Sequence, residues 1–145
     1  MRFDPINPNY EDDTRQSFTH MTALATLGME LNGIAPGQIE LLLVKHKSYT
    51  QQMGFLHGGI LTTGLDGACG LAAMTLTPKS NEIMTIELKT TFLAPASQVS
   101  ILFIGTVTKP GRRIVFTDGE AFGLDGDDRV LLAKMSATMY CKEAL

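Results

Sequence analysis

A histidine, two glycines and a following aspartate are the residues of this 145-residue chain whose types and spacing could do chemistry. His57, Gly58 and Gly59 open a long apolar stretch, and Asp66 lies inside it. Free N–H groups at the start of a helix can polarise a carbonyl group, and glycine lets a ligand come close. A carboxylate in apolar surroundings can act as a base or nucleophile, or it can simply pair with a local partner.

The apolar stretch at 57–76 predicts a buried helix, because its apolar residues fall on nearly every helical face. An extended lead-in is expected within residues 1–14, and a short helix within 11–27. Two strands are predicted before the buried helix and four after it, over residues 29–35, 38–47, 82–93, 98–108, 112–124 and 129–141. The breaks between the later strands are short, so neighbouring strands should pair antiparallel.

This order of elements predicts one α+β domain over residues 1–145, with a curved antiparallel sheet of five to six strands around one long central helix. The open edges of such a sheet favour pairing across a two-fold axis. With 44% hydrophobic residues and a net charge of -3, the composition argues against disorder and against nucleic-acid binding. No apolar run or leader-like start indicates a membrane partner or secretion, so we expect a soluble cytoplasmic protein.

The histidines and cysteines do not form a metal-binding pattern. His20, His46 and His57 lie far apart and lack a Cys or Glu at ligand spacing, so neither a metal nor another cofactor is expected. Cys69 and Cys141 are expected to be reduced, and no role is assigned to them.

The sequence also carries a resemblance to a known family. The run QQMGFLHGG at 51–59, the acid nine positions after His57, and a strand ending in FLAP at 92–95 resemble the hotdog-fold acyl-CoA thioesterases of the PaaI type. The resemblance extends from about residue 15 to the C-terminus. It implies a homodimer or homotetramer that hydrolyses fatty or aryl acyl-CoA thioesters without a metal, with Asp66 as the active carboxylate.

A role for each site residue follows from this resemblance together with the chemistry of the side chains. The Gly59 N–H is expected to polarise the thioester carbonyl, while Asp66 activates a water or attacks directly. The Thr85 hydroxyl either positions water or belongs to an ordinary strand threonine. Gln51 occupies the place where many relatives carry Asn. His57 is expected to brace the loop before the helix through a bond to the backbone.

The spacing of two of these residues predicts a site shared between subunits. Gly59 and Asp66 lie about 10 Å apart along one helix, so one thioester carbonyl cannot contact both. Two antiparallel helices across a two-fold axis would bring Gly59 of one chain near Asp66 of the other. We therefore expect two sites per dimer, and Gly58 should let the substrate approach.

Further residues are candidates for binding the rest of an acyl-CoA. The turn at 109–113 is basic, and Arg112 and Arg113 either meet the CoA phosphates or carry ordinary solvated charge. Four side chains could line an acyl channel or pack in the core, namely Met53, Phe55, Met74 and Met84. Two other functions stay open, a non-catalytic acyl-CoA binding module and a hotdog hydratase or dehydratase that pairs His57 with Asp66.

Overall fold

A computed structural model describes residues 3–78 and 82–143 of the chain. Three helices and six strands follow one another in the order α1 (Tyr10–Thr19), α2 (Thr22–Thr26), β1 (Glu30–Ala35), β2 (Gln38–Val44), α3 (Gly58–Met74), β3 (Glu82–Phe92), β4 (Ser100–Lys109), β5 (Ile114–Asp125) and β6 (Asp128–Lys142). The strands form one sheet of six with all neighbours antiparallel, in the order β1-β2-β4-β5-β6-β3. The predicted α+β architecture is confirmed.

Helix α3 is the centre of the core, and five of the six strands pack against it. Leu65, Ala68 and Ala72 of α3 are fully buried. Two glycines allow the close contact between helix and sheet. A side-chain carbon built on Gly105 of β4 would lie 2.3 Å from the backbone of Ala68, and one built on Gly64 would lie 2.6 Å from the Phe103 ring. The sheet therefore wraps closely around the helix, as the sequence predicts.

The two edges of the sheet differ in character. β1 is a short strand with an irregular register, which makes it a poor template for another strand. β3 spans eleven residues and carries large apolar side chains on its surface, with Ile86 57% and Phe92 54% exposed. A long edge strand with exposed apolar side chains marks a surface suited to pairing with another strand.

The N-terminal region differs from the prediction in two ways. Helix α1 begins at Tyr10, because a turn at Asn7–Asn9 starts it, so residues 10–14 are helical and not part of an extended lead-in. The single helix predicted over 11–27 is interrupted at His20 and Met21. The interruption allows Leu24 of α2 to turn inward against Gly67 of α3, and this packing outweighs the local helical preference.

Within the described residues, no helix is long and apolar enough to cross a membrane. The strand boundaries agree with the prediction except at β2, which ends at Val44 and is followed by a single helical turn at Lys47–Tyr49.

Candidate active site

The start of α3 is fixed by a hydrogen bond from its own backbone to His57. His57 is the N-cap residue in an extended conformation, and its Nδ1 accepts the Gly59 N–H at 2.9 Å. The His57 ring is thus bonded to the first turn of α3, and its role in bracing the preceding loop stays a prediction. In the neutral ring, an acceptor Nδ1 leaves the hydrogen on Nε2, so the exposed edge of the imidazole is a donor.

This bond changes which glycine can meet a substrate. The Gly59 N–H already has a partner within the chain, whereas no group in the described part of the chain accepts the Gly58 N–H. Gly58 is the first residue of α3, where an N–H group points out of the helix without an intrahelical acceptor. The available donor at this helix end is therefore Gly58, one residue before the predicted Gly59.

A groove of about 370 Å³ lies in front of the Gly58 backbone. Gln51 and Gly58 both line it, so the structure brings these two predicted site residues together. The Gln51 Oε1 accepts the backbone N–H of Met53, which leaves the Gln51 amide NH₂ as a donor. Phe92 closes one side, since a carbon built on Gly58 would lie 3.0 Å from its ring. The groove thus combines backbone and side-chain donors with apolar walls.

Asp66 lies elsewhere, in contact with the start of β3. The Thr85 hydroxyl donates to the Asp66 Oδ1 at 2.7 Å. The register between β3 and β6 shifts between Thr85 and Glu87, and such a bulge re-aims a side chain beside a functional site. Asp66 is partly exposed, so it is less buried than an all-apolar helix face suggests. Its Oδ1 is held by the threonine, and Oδ2 is left for another partner.

A cavity of about 490 Å³ opens beside this carboxylate. Its walls include Met74 of α3 and Met84 of β3, two of the four acyl-channel candidates, while Met53 and Phe55 line the groove at Gly58. None of these four side chains is fully buried, and Met74 packs against the hydrophobic core. Ser17 of α1 and Met21, which precedes α2, also line the cavity, and the sequence did not indicate them.

The groove and the cavity lie at opposite ends of one helix–strand pair. α3 and β3 run side by side in opposite directions, with Gly58 against Phe92, a bond of 3.3 Å between the Thr62 and Thr90 hydroxyls, and Asp66 against Thr85. Gly58 and Asp66 are eight residues apart, about 12 Å along the helix. One thioester group therefore cannot contact both ends within a single chain.

Comparison with known proteins identifies the family. The family model of the thioesterase superfamily matches residues 53–129, which include Gly58, Asp66 and Thr85. The chain belongs to the thioesterase superfamily. It is accordingly a thioester hydrolase, since its relatives are described as thioesterases or esterases.

Several relatives of this thioesterase illustrate the match. A thioesterase-family protein from Silicibacter pomeroyi is 36% identical, with a TM-score of 0.91 over 93% of this chain and 99% of the other. The Saccharolobus solfataricus protein named "Putative esterase SSO1253" is 31% identical over 81% of this chain and 76% of its own length. The E. coli PaaI protein is 14% identical with a TM-score of 0.82, over 91% and 92% of the two chains, and shares the fold.

The basic turn of the thioesterase lies at the same end of the sheet as the Asp66 cavity. The Arg113 carbonyl accepts the backbone N–H of Cys141, and Cys141 pairs with Ile83, which lines the cavity. The turn is therefore two strand spacings, about 10 Å, from Ile83. Arg112 is 80% exposed and forms an ion pair with Glu143, with distances of 2.9 and 3.0 Å. The turn therefore lies near the strand that carries one wall of the cavity.

Cys69 follows Asp66 by about one helical turn and is a second group whose nucleophilicity bears on the site. Burial raises the pKa of the Cys69 thiol to about 12; the charge of Asp66 adds to the increase, and a bond with Thr117 opposes it. The thiol therefore stays protonated through neutral pH and is a poor nucleophile. Over residues 3–78 and 82–143, no three His, Cys, Asp or Glu side chains cluster as a metal site would require.

Proposed function

We propose that this thioesterase hydrolyses acyl-CoA esters in active sites that two subunits build together. The observation that carries the proposal is the separation of the two half-sites, with donor groups at Gly58 and the carboxylate at Asp66. A thioester needs both at once, because its carbonyl oxygen must be stabilised while a base or nucleophile acts at the carbonyl carbon.

The exposed edge of β3 supplies a way to combine the half-sites. Two copies of β3 that pair antiparallel about a centre near Leu88 would place Thr85 of one chain beside Phe92 of the other. Since Asp66 contacts Thr85 and Gly58 contacts Phe92, each carboxylate would then face the donor groups of the partner subunit. The site therefore requires a homodimer. A tetramer made of two such dimers stays a prediction, as does the cytoplasmic location.

The chemistry follows from the donors and acceptors on each side. The Gly58 N–H and the Gln51 side-chain NH₂ of one subunit, which both line the groove, would hold the carbonyl oxygen and stabilise the negative charge of the tetrahedral intermediate. The Asp66 Oδ2 of the other subunit would take a proton from a water that attacks the carbonyl carbon, and collapse of the intermediate expels the CoA thiolate. The Thr85 bond keeps the carboxylate oriented while this happens.

Direct attack by Asp66 is a second route from the same geometry. It would form a mixed anhydride that water then hydrolyses. A single turnover in ¹⁸O-labelled water distinguishes the routes, because hydrolysis of the anhydride at its aspartyl carbonyl leaves the label in the Asp66 carboxylate. General-base catalysis places the label only in the released acid.

Arg112 is proposed to bind a CoA phosphate. Its guanidinium is held by Glu143 at an exposed position, so a phosphate can exchange with that carboxylate. Arg112→Ala should raise KM for an acyl-CoA about fivefold, as expected for one exposed charged contact, with kcat unchanged. Glu143→Gln should lower KM, since it removes the competing charge. Steady-state kinetics with an acyl-pantetheine ester provide the control, and an equal change in its KM would contradict the phosphate role.

A thiol-release screen tests the proposed activity directly. We expect the purified protein to release CoA from at least one class among short, medium, long and aryl acyl-CoAs. Hydration of crotonyl-CoA tests the hydratase alternative in the same preparation, and it is measured as the loss of absorbance of the conjugated thioester. Tight acyl-CoA binding without thiol release at any chain length would instead favour a binding module and overturn the proposal.

A further inference from the structure

The cavity beside Asp66 has both polar and apolar walls. On its helical wall, Asp66, Gly70 and Met74 recur every four residues and share one face of α3. Leu71, Ile83 and Met21 add apolar surface, while Ser17 and Glu82 add polar groups, and the Glu82 carboxylate is paired with Lys142 at 3.3 Å. Along the helix, Gly70 lies about 6 Å and Met74 about 12 Å beyond the carboxylate.

Gly70 differs from the other glycines in the interior of α3. A side-chain carbon on Gly64 would lie 2.6 Å from Phe103, and one on Gly67 would lie 2.8 Å from Leu24, so close packing excludes a side chain at both positions. A carbon on Gly70 would have nothing within 4 Å. Glycine destabilises a helix interior relative to alanine. The packing of the chain itself therefore gives no reason for glycine at position 70.

We infer that the acyl group of the substrate occupies this cavity and that Gly70 determines how long a chain it accepts. This inference rests on the proposed function. The absent side chain at position 70 leaves a passage along the helix from the carboxylate to the Met74 side chain. Methionine side chains at Met21, Met74 and Met84 can adapt to an inserted chain.

The distances indicate the class of acyl group. An extended peptide advances about 3.6 Å over the three backbone bonds of one residue, so an extended acyl chain advances about 1.2 Å per bond. With the carbonyl carbon at Asp66, Gly70 is level with about the sixth carbon and Met74 with about the eleventh. The cavity therefore accepts medium-chain acyl groups up to about ten carbons, and butyryl esters end before they reach Gly70.

The test compares butyryl-CoA with decanoyl-CoA for the wild type, Gly70→Ala and Gly70→Leu. We expect Gly70→Leu to reduce kcat/KM for decanoyl-CoA about 50-fold, as filling part of a fitted pocket does, and to reduce kcat/KM for butyryl-CoA by a smaller factor. Gly70→Ala should give a smaller loss for decanoyl-CoA together with an unchanged or higher melting temperature, because alanine is the better helix former. It provides the readout if Gly70→Leu fails to fold.

The outcomes separate this inference from the proposed function. If the wild type releases no thiol from any ester, the proposed function fails and the inference fails with it. If the wild type is active but both variants change the two substrates equally, only the inference is overturned. Loss of the dimer in Gly70→Leu, measured by light scattering, would also overturn it, since the space at position 70 would then belong to the partner subunit.

Discussion

Asp66→Asn should lower kcat for the preferred acyl-CoA about a thousandfold, the size of effect expected when a general base or nucleophile is lost. An amide neither accepts a proton from water at neutral pH nor attacks a thioester. The asparagine oxygen can still accept a hydrogen bond from the Thr85 hydroxyl, so the contact between α3 and β3 is preserved. Thiol release at saturating substrate measures the effect.

Asp118→Asn is the matched control for this substitution. Asp118 is an exposed aspartate on β5, bonded to Ser136, and it has no part in the groove at Gly58 or the Asp66–Thr85 pair. We expect the kcat of the Asp118→Asn variant to stay within about twofold of the wild-type value, as is usual for surface changes. Full thiol release by Asp66→Asn, with the melting temperature unchanged, would remove Asp66 from the mechanism.

Gly58→Pro should lower kcat between about a hundredfold and a thousandfold, the cost of one lost donor to a developing oxyanion. Proline removes the backbone N–H, yet it is well tolerated at the first position of a helix. The preceding residue must then be extended, and His57 already is, with φ -62° and ψ 136°. The substitution therefore deletes the proposed donor while the helix start keeps its conformation.

Gly58→Ala is the control, because it keeps the N–H and adds a similar carbon. That carbon would lie 3.0 Å from the exposed Phe92 ring, which must shift slightly in both variants. We expect Gly58→Ala to lose no more than about tenfold in kcat, the part of the effect that comes from crowding. Equal losses in the alanine and proline variants would show that crowding, and not the N–H, accounts for the effect.

The central helix and its strands could be predicted because their signals are local. Apolar residues on all faces of 57–76 indicate burial, and short breaks between later strands indicate antiparallel neighbours. The Asp66–Thr85 bond could be suspected only from family resemblance. It depends on β3 lying beside α3 at the sheet edge and on a bulge in its register with β6. Both are tertiary features that residue spacing does not encode.

The choice between Gly58 and Gly59 shows a second limit. Two adjacent glycines at a helix start both have N–H groups without intrahelical acceptors, so the sequence alone does not say which one is available. The structure shows that the His57 ring takes the Gly59 N–H and leaves that of Gly58. Similarly, the part of the cavity wall formed by Ser17 and Met21 depends on how α1 and the residues after it pack on α3, which residue spacing does not encode.

A mixed dimer tests the shared active site most directly. Asp66→Asn and Gly58→Pro chains carrying different tags are co-expressed, and the dimer holding one of each is isolated by both tags. In a shared site, the two defects fall together in one site, and the other site has Asp66 and Gly58 both intact. We therefore predict that this dimer recovers about half the wild-type kcat, although each parent homodimer is nearly inactive. A mixed dimer as inactive as its parents would contradict the shared site.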